Sequence, residues 1–186
     1  MHSTSDFKKG LKIELDGAPY VIVDFQHVKP GKGGAFVRTK MKNLLTGRVL
    51  DQTFRSGERV KKPDLMEREM QYLYQEGDRF CMMDNETYEQ LMLTEEQVGE
   101  ARLYLTDNLD VKVLFFNQQP VAVEVPTFVE LTVTQSEPGL KGDTASGGTK
   151  PATLESGVTI QVPLFINEGD RVKVDTRTGS YIERLK

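Results

Sequence analysis

The sequence predicts an all-β protein made of small barrels or sandwiches. Short runs rich in Val, Ile, Tyr, Phe and Thr recur along its 186 residues, separated by Gly, Asp, Asn and Pro. Apolar and polar residues alternate within several runs, as in Leu131, Thr132, Val133 and Thr134. A period of two residues between turn signals is typical of half-buried strands. One segment alone has helical spacing.

The strand pattern extends along the whole chain. Runs that carry it are, in chain order, LKIELDG, YVIVDF, AFVRTKMKN, RFCMMDN, DVKVLFFNQ, VELTVTQS, VTIQVPLF, DRVKVDT and YIERL. Between the second and third runs lies PGKGG, residues 30–34. Because Gly supplies positive φ and Pro fixes φ near its turn value, this composition predicts the protruding loop of a β-hairpin.

The segment TEEQVGEARLYL, residues 94–105, predicts a single short helix. Thr94 and Gln97 have the spacing of a capping box, and the first turn is acidic. Apolar residues from Val98 to Leu105 then recur at helical spacing.

Composition shifts divide the chain into three units of about 60 residues, a size near the lower limit for a lone stable core. The shifts lie in SGERVKKPDLME and EVPTF, and they predict domains at residues 1–63, 64–126 and 127–186.

Charge is distributed unevenly among these units. Residues 1–62 contain 13 Lys or Arg and 6 Asp or Glu, residues 63–126 contain 4 and 14, and residues 127–186 contain 7 and 8. The segment charges are therefore +7, −10 and −1, within a net charge of −4. A basic segment in an acidic chain indicates a nucleic-acid or membrane partner. The alternative is that the basic and acidic segments attract each other.

Several functional classes find no support. The single cysteine, Cys81, allows no intrachain disulfide and is expected to be a buried packing residue, as in a reducing cytoplasm. We expect no secretory signal and no membrane span. His2 and His27 are the only histidines, and neither metal-ligand spacing nor a G-x-S-x-G or P-loop motif occurs. The sequence therefore predicts no catalytic centre, no metal site and no cofactor.

Lys32 is the main candidate for a functional residue. Pro30, Gly31, Gly33 and Gly34 surround it, so no other long side chain obstructs its approach to a partner. Basic residues in the loop and on the following strand form a positive cluster suited to phosphates. They are Lys29, Arg38, Lys40 and Lys42. The alternative is an ordinary exposed hairpin lysine.

Two long stretches carry a family resemblance. VKPGKGGAFVRTKMKNLLTG closely resembles the first domain of the bacterial elongation factor P family. The segment from TFVELTVTQS to GSYIERLK has the spacing of that family's C-terminal signature, and MQYLYQEGDRFCMMDNETYEQL in the middle unit is also similar. The signature positions are Lys150-Pro151-Ala152, Gly157, Ile160, Val162-Pro163, Ile166 and Gly169.

The resemblance implies an SH3-like domain followed by two OB-folds, in an L-shaped arrangement that mimics tRNA. It implies a monomeric, non-enzymatic factor that binds the 70S ribosome and contacts peptidyl-tRNA and rRNA. Lys32 would reach the CCA end of peptidyl-tRNA and relieve stalling at consecutive prolines. Since several family members carry a covalent extension at the tip, Lys32 would be the acceptor for a modifying enzyme, and a lysine disfavours the rhamnose found on arginine.

The resemblance also implies RNA contacts in the third domain. One group lies in the Gly-rich and Thr-rich segment 138–152, and a second lies in GSYIERLK. The residues are Gly142, Asp143, Thr144, Lys150, Tyr181 and Arg184. The acidic middle domain would be repelled by RNA, so we expect it to face solvent or protein.

Two alternatives stay open. A carrier domain would hold biotin or lipoate on a hairpin lysine, although such domains place that lysine between apolar neighbours. A generic OB-fold RNA binder would bind RNA without Lys32. Gly34 makes a looser tip than Pro would, which suggests that the loop depends on a modification or on the ribosome for order.

Overall fold

A computed structural model describes residues 1–138 and 148–186 and confirms the all-β prediction. Strands dominate, and within these ranges the helical residues are limited to one short α-helix and two 3-10 segments. The chain falls into two compact units. They comprise Met1–Glu67 with Leu114–Ala122, and Arg68–Val113 with Val123–Lys186. The three-domain boundaries at residues 63 and 126 stay predictions.

The N-terminal region is built on an antiparallel sheet with its strands in chain order. Its elements are β1 (His2–Ser3), a 3-10 turn (Thr4–Asp6), β2 (Lys12–Leu15), β3 (Ala18–Val28), β4 (Phe36–Asn43), β5 (Val49–Arg55) and β6 (Arg59–Val60). Strands β2 to β5 form the sheet, and β1 pairs with β6. Asp16 and Gly17 join β2 to β3 with φ of 51° and 78°. Both values fit a type I′ turn, whose twist matches that of the flanking strands.

Alternation along β4 separates the core of this sheet from its exposed face. Val37 and Met41 point inward and are fully buried, whereas Arg38, Lys40 and Lys42 point to solvent. Phe7 and Phe54 meet edge to face, with ring centroids 5.3 Å apart. The core consists of Phe7, Ile13, Tyr20, Ile22, Val37, Met41, Phe54 and Val60.

Thr39 is a polar exception on the inward face of β4. Its side chain is buried, and its hydroxyl has no hydrogen-bond partner among the residues that the structure describes. A buried polar group without a partner costs about 1–3 kcal/mol, whereas valine has a similar shape and suits a strand. We expect Thr39→Val to raise the free energy of unfolding by about 1 kcal/mol in chemical denaturation. Thr39→Ala, which also opens a cavity, should not stabilise; a destabilised Thr39→Val variant would contradict this account.

The middle region contains a second sheet with an interrupted chain order. Its strands are β7 (Leu65–Glu76), β8 (Arg79–Asp84), β9 (Gln90–Thr94), β10 (Asp110–Phe116) and β11 (Gln119–Glu124). They lie in the order β11-β10-β7-β8-β9. Strand β8 is apolar on both faces, and Phe80, Cys81 and Met82 are all buried. Cys81 is therefore a packing residue, as predicted.

The prediction of one helix over residues 94–105 is wrong in extent. Helix α1 covers only Glu95–Val98, and a 3-10 helix follows at Gly99–Tyr104. The capping box is present, because the Thr94 hydroxyl accepts from the Gln97 N–H at 3.2 Å and the Gln97 side chain accepts from the Thr94 N–H at 2.8 Å. Gly99 ends the α-helix with φ 63° and ψ −142°, a conformation that residues with a Cβ rarely adopt.

The C-terminal region is an antiparallel sheet that curls toward closure. Its strands are β12 (Phe128–Ser136), β13 (Thr149–Leu154), β14 (Thr159–Pro163), β15 (Arg171–Asp175) and β16 (Ser180–Leu185). Their order is β14-β13-β12-β15-β16, and the two edge strands also contact each other. This curvature fits the predicted OB-fold.

Tyr104, at the end of the 3-10 helix, packs into the core of the C-terminal sheet. Only 8% of Tyr104 is exposed, and it belongs to one cluster with Val129, Leu131 and other inward residues of β12 to β15. Next to it, the Ser156 hydroxyl donates to the backbone carbonyl of Leu103. The 3-10 helix therefore docks on this sheet within the second compact unit.

Candidate nucleic-acid interface

Strands β3 and β4 form a long hairpin with Lys32 in its loop. Cross-strand pairs run from Tyr20 with Asn43 to Val28 with Phe36, which leaves residues 29–35 as the loop. Lys32 is exposed. Within the two described ranges no hydrogen bond or ion pair involves its side chain. The hairpin thus presents a lysine without a partner of its own.

The glycines around Lys32 serve two different purposes. Gly33 has φ +98°, so it needs glycine for conformational reasons. Gly31 and Gly34 lie outside the positive-φ region, and a Cβ built on either would meet nothing within 4 Å. The turn prediction therefore holds for Gly33, whereas Gly31 and Gly34 keep the space beside Lys32 open.

Three of the predicted basic residues share the outer face of β4. Arg38, Lys40 and Lys42 alternate with buried residues and are exposed. Register places Lys40 opposite Asp24 on β3 and Asp51 on β5, so nearby carboxylates reduce its net field. Arg38 and Lys42 have no acidic residue directly across from them. The stronger positive potential on this face is therefore at Arg38 and Lys42.

Strand register adds two basic residues that the sequence analysis missed. Lys12 on β2 pairs with Val21, which pairs in turn with Lys42 on β4. Arg55 on β5 lies opposite Phe36, at the end of the hairpin nearest the tip. Both side chains are exposed. Alternation within one strand does not show which residues on neighbouring strands lie beside it. The pairing register of the strands would have shown it. Lys29 is also exposed, at the start of the loop.

The predicted RNA-contacting residues of the third domain differ in whether the structure describes them and in how exposed they are. Gly142, Asp143 and Thr144 lie outside the described residues. Lys150 occupies an inward position of β13 and is only 6% exposed, with its ammonium donating to the backbone carbonyl of Glu137. This interaction holds β13 to the end of β12, and an RNA contact by Lys150 stays a prediction.

Tyr181 and Arg184, the other two predicted RNA contacts, both lie on β16 and are at least partly exposed. Tyr181 packs against the core, and burial raises the pKa of its phenol above the usual 10.0, partly offset by the charge of Arg184. The hydroxyl therefore stays protonated at neutral pH and can donate a hydrogen bond. The Arg184 side chain is 50% exposed. Its guanidinium carbon, Cζ, lies 5.2 Å from the centroid of the Phe165 ring.

Other site types are not present in the described part of the chain. No group of three or more His, Cys, Asp or Glu side chains there could hold a metal ion. His27 lies on β3, with its ring edge to face with Phe25 at 5.6 Å. None of the helices in residues 1–138 and 148–186 is long and apolar enough to span a membrane.

Comparison with protein families matches nearly the whole chain. Residues 3–60 match the family described as elongation factor P (EF-P) KOW-like domain. Residues 65–123 match the elongation factor P (EF-P) OB domain, and residues 129–184 match elongation factor P, C-terminal.

Individual relatives agree with these matches. Elongation factor P of Bdellovibrio bacteriovorus is 56% identical over 185 residues, covering 100% of this chain and 98% of the relative. That of Nitratidesulfovibrio vulgaris is 58% identical over 184 residues, covering 99% and 100%. A solved translation initiation factor 5A from Methanococcus jannaschii has a TM-score of 0.55 and 27% identity, and covers 67% of this chain and 90% of its own.

Proposed function

The chain belongs to the elongation factor P family, and from this premise we propose that it stimulates peptide-bond formation and relieves stalling at consecutive prolines by positioning peptidyl-tRNA through Lys32. It is a ribosome-associated translation elongation factor and not an enzyme. The proposal adds to this that Lys32 contacts peptidyl-tRNA and positions it for peptide-bond formation.

One observation carries this proposal: Lys32 stands exposed and without a partner at the tip of the β3–β4 hairpin. Its neighbours Gly31 and Gly34 add no side chain, so the tip can enter a confined RNA site. Behind the tip, the exposed basic residues of β4 and its neighbouring strands suit the phosphates of a tRNA acceptor arm. They are Lys12, Arg38, Lys42 and Arg55, with Lys40 between its two carboxylates.

Positioning is the form of catalysis open to such a tip. Proline is a poor nucleophile in peptide transfer, and consecutive prolines disfavour the reactive geometry of the nascent chain. A lysine ammonium that binds phosphate and 2′-hydroxyl oxygens of the CCA end holds peptidyl-tRNA in place. Holding reactants in a productive geometry lowers the entropic part of the barrier without a catalytic acid or base.

A covalent extension of Lys32 would lengthen the reach of the tip. We propose that a modifying enzyme of the host adds such a group, and that the factor acts in the cytoplasm as a monomer. The intact mass of the protein purified from its host tests the modification: a mass added at Lys32 supports it, whereas a bare lysine overturns it. A biotinyl or lipoyl mass would instead favour the carrier-domain alternative.

The charge of the middle region disfavours contact with RNA. With 14 Asp or Glu against 4 Lys or Arg in residues 63–126, it would be repelled by RNA phosphates. We therefore propose that it faces solvent or protein on the ribosome, while the basic hairpin and the third domain contact RNA.

Reconstituted translation tests the proposed function directly. With the purified factor, we expect faster synthesis from a message that encodes three consecutive prolines and an unchanged rate from a matched message with the prolines separated. Binding to 70S ribosomes should weaken as salt rises from about 50 to 200 mM, because phosphate contacts release counterions. Equal rates on the proline-rich message with and without the factor would contradict the proposal.

A further inference from the structure

The third domain exposes an aromatic ring directly beneath an arginine. Phe165 follows β14 in a turn and is 55% exposed. The Cζ atom of Arg184, on β16, lies 5.2 Å from its ring centroid. A guanidinium over an aromatic face at this distance gains a cation–π interaction. The Phe165 ring thus packs against the exposed Arg184 side chain and not into the hydrophobic core.

A carboxylate contacts the same guanidinium. The Oδ2 atom of Asp170 lies 4.0 Å from Nη1 of Arg184. That oxygen also accepts from the backbone N–H of Asn167 at 2.8 Å, so a tight turn fixes its position. At 4.0 Å and with half-exposed partners, the ion pair contributes little by itself. The Phe165 ring is therefore a second contact that orders Arg184, beside this carboxylate.

We infer that Phe165 is a positioning residue, which holds the Arg184 guanidinium in place for contact with ribosomal RNA. The inference rests on the proposed function, in which Arg184 contacts RNA. A free arginine loses rotamer freedom when it binds, and an arginine already ordered on a ring loses less. Half of the Arg184 side chain is exposed, so its remaining donors are accessible to a phosphate or a base edge.

A second ring–cation pair in the same domain provides a matched control. Phe128 on β12 is 45% exposed, and the Lys173 ammonium lies 4.9 Å from its ring centroid. Neither residue is assigned to RNA contact. Phe128→Leu and Phe165→Leu therefore remove the same kind of contact from similarly exposed positions, and they differ in whether the cation is Arg184.

Binding of the labelled full-length protein to 70S ribosomes carrying peptidyl-tRNA tests the inference. We expect Phe165→Leu to weaken binding about two- to fivefold, the equivalent of one exposed cation–π contact. Phe165→Tyr, which keeps an aromatic face, should restore binding, and Phe128→Leu should bind as the parent chain does. Thermal unfolding should be unchanged in all three, because both rings are exposed.

A double-mutant cycle separates positioning from a direct contact by Phe165. In an Arg184→Ala background, Phe165→Leu should weaken binding no further. If the parent chain binds and stimulates proline-rich synthesis while Phe165→Leu binds equally well, this inference fails and the proposed function stands. An undiminished effect of Phe165→Leu in the Arg184→Ala background also overturns it. If the parent chain does not bind ribosomes, the proposed function fails, and the inference with it.

Discussion

Lys32→Ala is expected to abolish the stimulation of synthesis at consecutive prolines while leaving the fold intact. The side chain is exposed, and no hydrogen bond or ion pair to it is present in the described part of the chain. Surface substitutions of this kind change the free energy of unfolding by about 0.5 kcal/mol or less. Activity should nevertheless fall to the level without factor, because in the proposed function Lys32 binds the CCA end and an alanine methyl group cannot donate a hydrogen bond to it. Reconstituted translation and chemical denaturation of one preparation measure both effects.

Two further variants sharpen this test. Lys9→Ala removes an exposed lysine of the same region that has no assigned role, and it should retain full stimulation. Lys32→Arg keeps the positive charge but not the primary amine that a modifying enzyme would use. Loss of activity in Lys32→Arg would therefore show that charge alone is insufficient. Full stimulation by Lys32→Ala would instead favour a generic RNA binder, in which the tip is incidental.

The sequence predicted the features that local patterns determine. The sequence predicted a basic cluster that includes Arg38, Lys40 and Lys42, which lie on one face of β4, and the turn residues marked the loop around Lys32. Both depend on neighbours along the chain, which a strand period and turn chemistry report directly. The all-β class followed from the same signals.

Features that depend on strand pairing or on a single backbone angle could not be predicted from local sequence patterns. The contributions of Lys12 and Arg55 come from cross-strand register, which is set by partners distant in sequence. The burial of Lys150 was not predicted, because its inward place on β13 depends on how that strand packs. Gly99 ended a helix that the apolar spacing continued, because a single positive φ overrides periodicity.

Tyr104→Ala is expected to have the largest effect on stability among the substitutions considered. The side chain is buried in the core of the C-terminal sheet although it comes from the 3-10 helix of the preceding region. Burial, with Glu100 and Asp175 nearby, raises the pKa of its phenol, so the group stays neutral. Truncation of a buried aromatic costs about 3–5 kcal/mol through lost burial and the cavity that remains. Chemical denaturation should show a correspondingly lower midpoint.

Tyr104→Phe separates the ring from its hydroxyl. A Cβ on Gly179 would lie 3.2 Å from the Tyr104 hydroxyl oxygen, so the ring tip is closely packed against the β15–β16 turn. Removing the hydroxyl keeps the ring and should cost about 1 kcal/mol or less. Near-equal stability of Tyr104→Ala and the parent chain would show that the 3-10 helix does not dock on this sheet in solution.

Tyr104→Ala also tests whether the second compact unit unfolds in a single cooperative transition. Tyr104 and the Ser156–Leu103 hydrogen bond join the 3-10 helix to the C-terminal sheet. If these contacts couple the two sheets, Tyr104→Ala should broaden the denaturation transition and lower its m-value, because the C-terminal sheet would unfold separately. Hydrogen exchange should then show early loss of protection in β12 to β16 with β8 still protected. Uniform loss across both sheets would contradict this coupling through Tyr104.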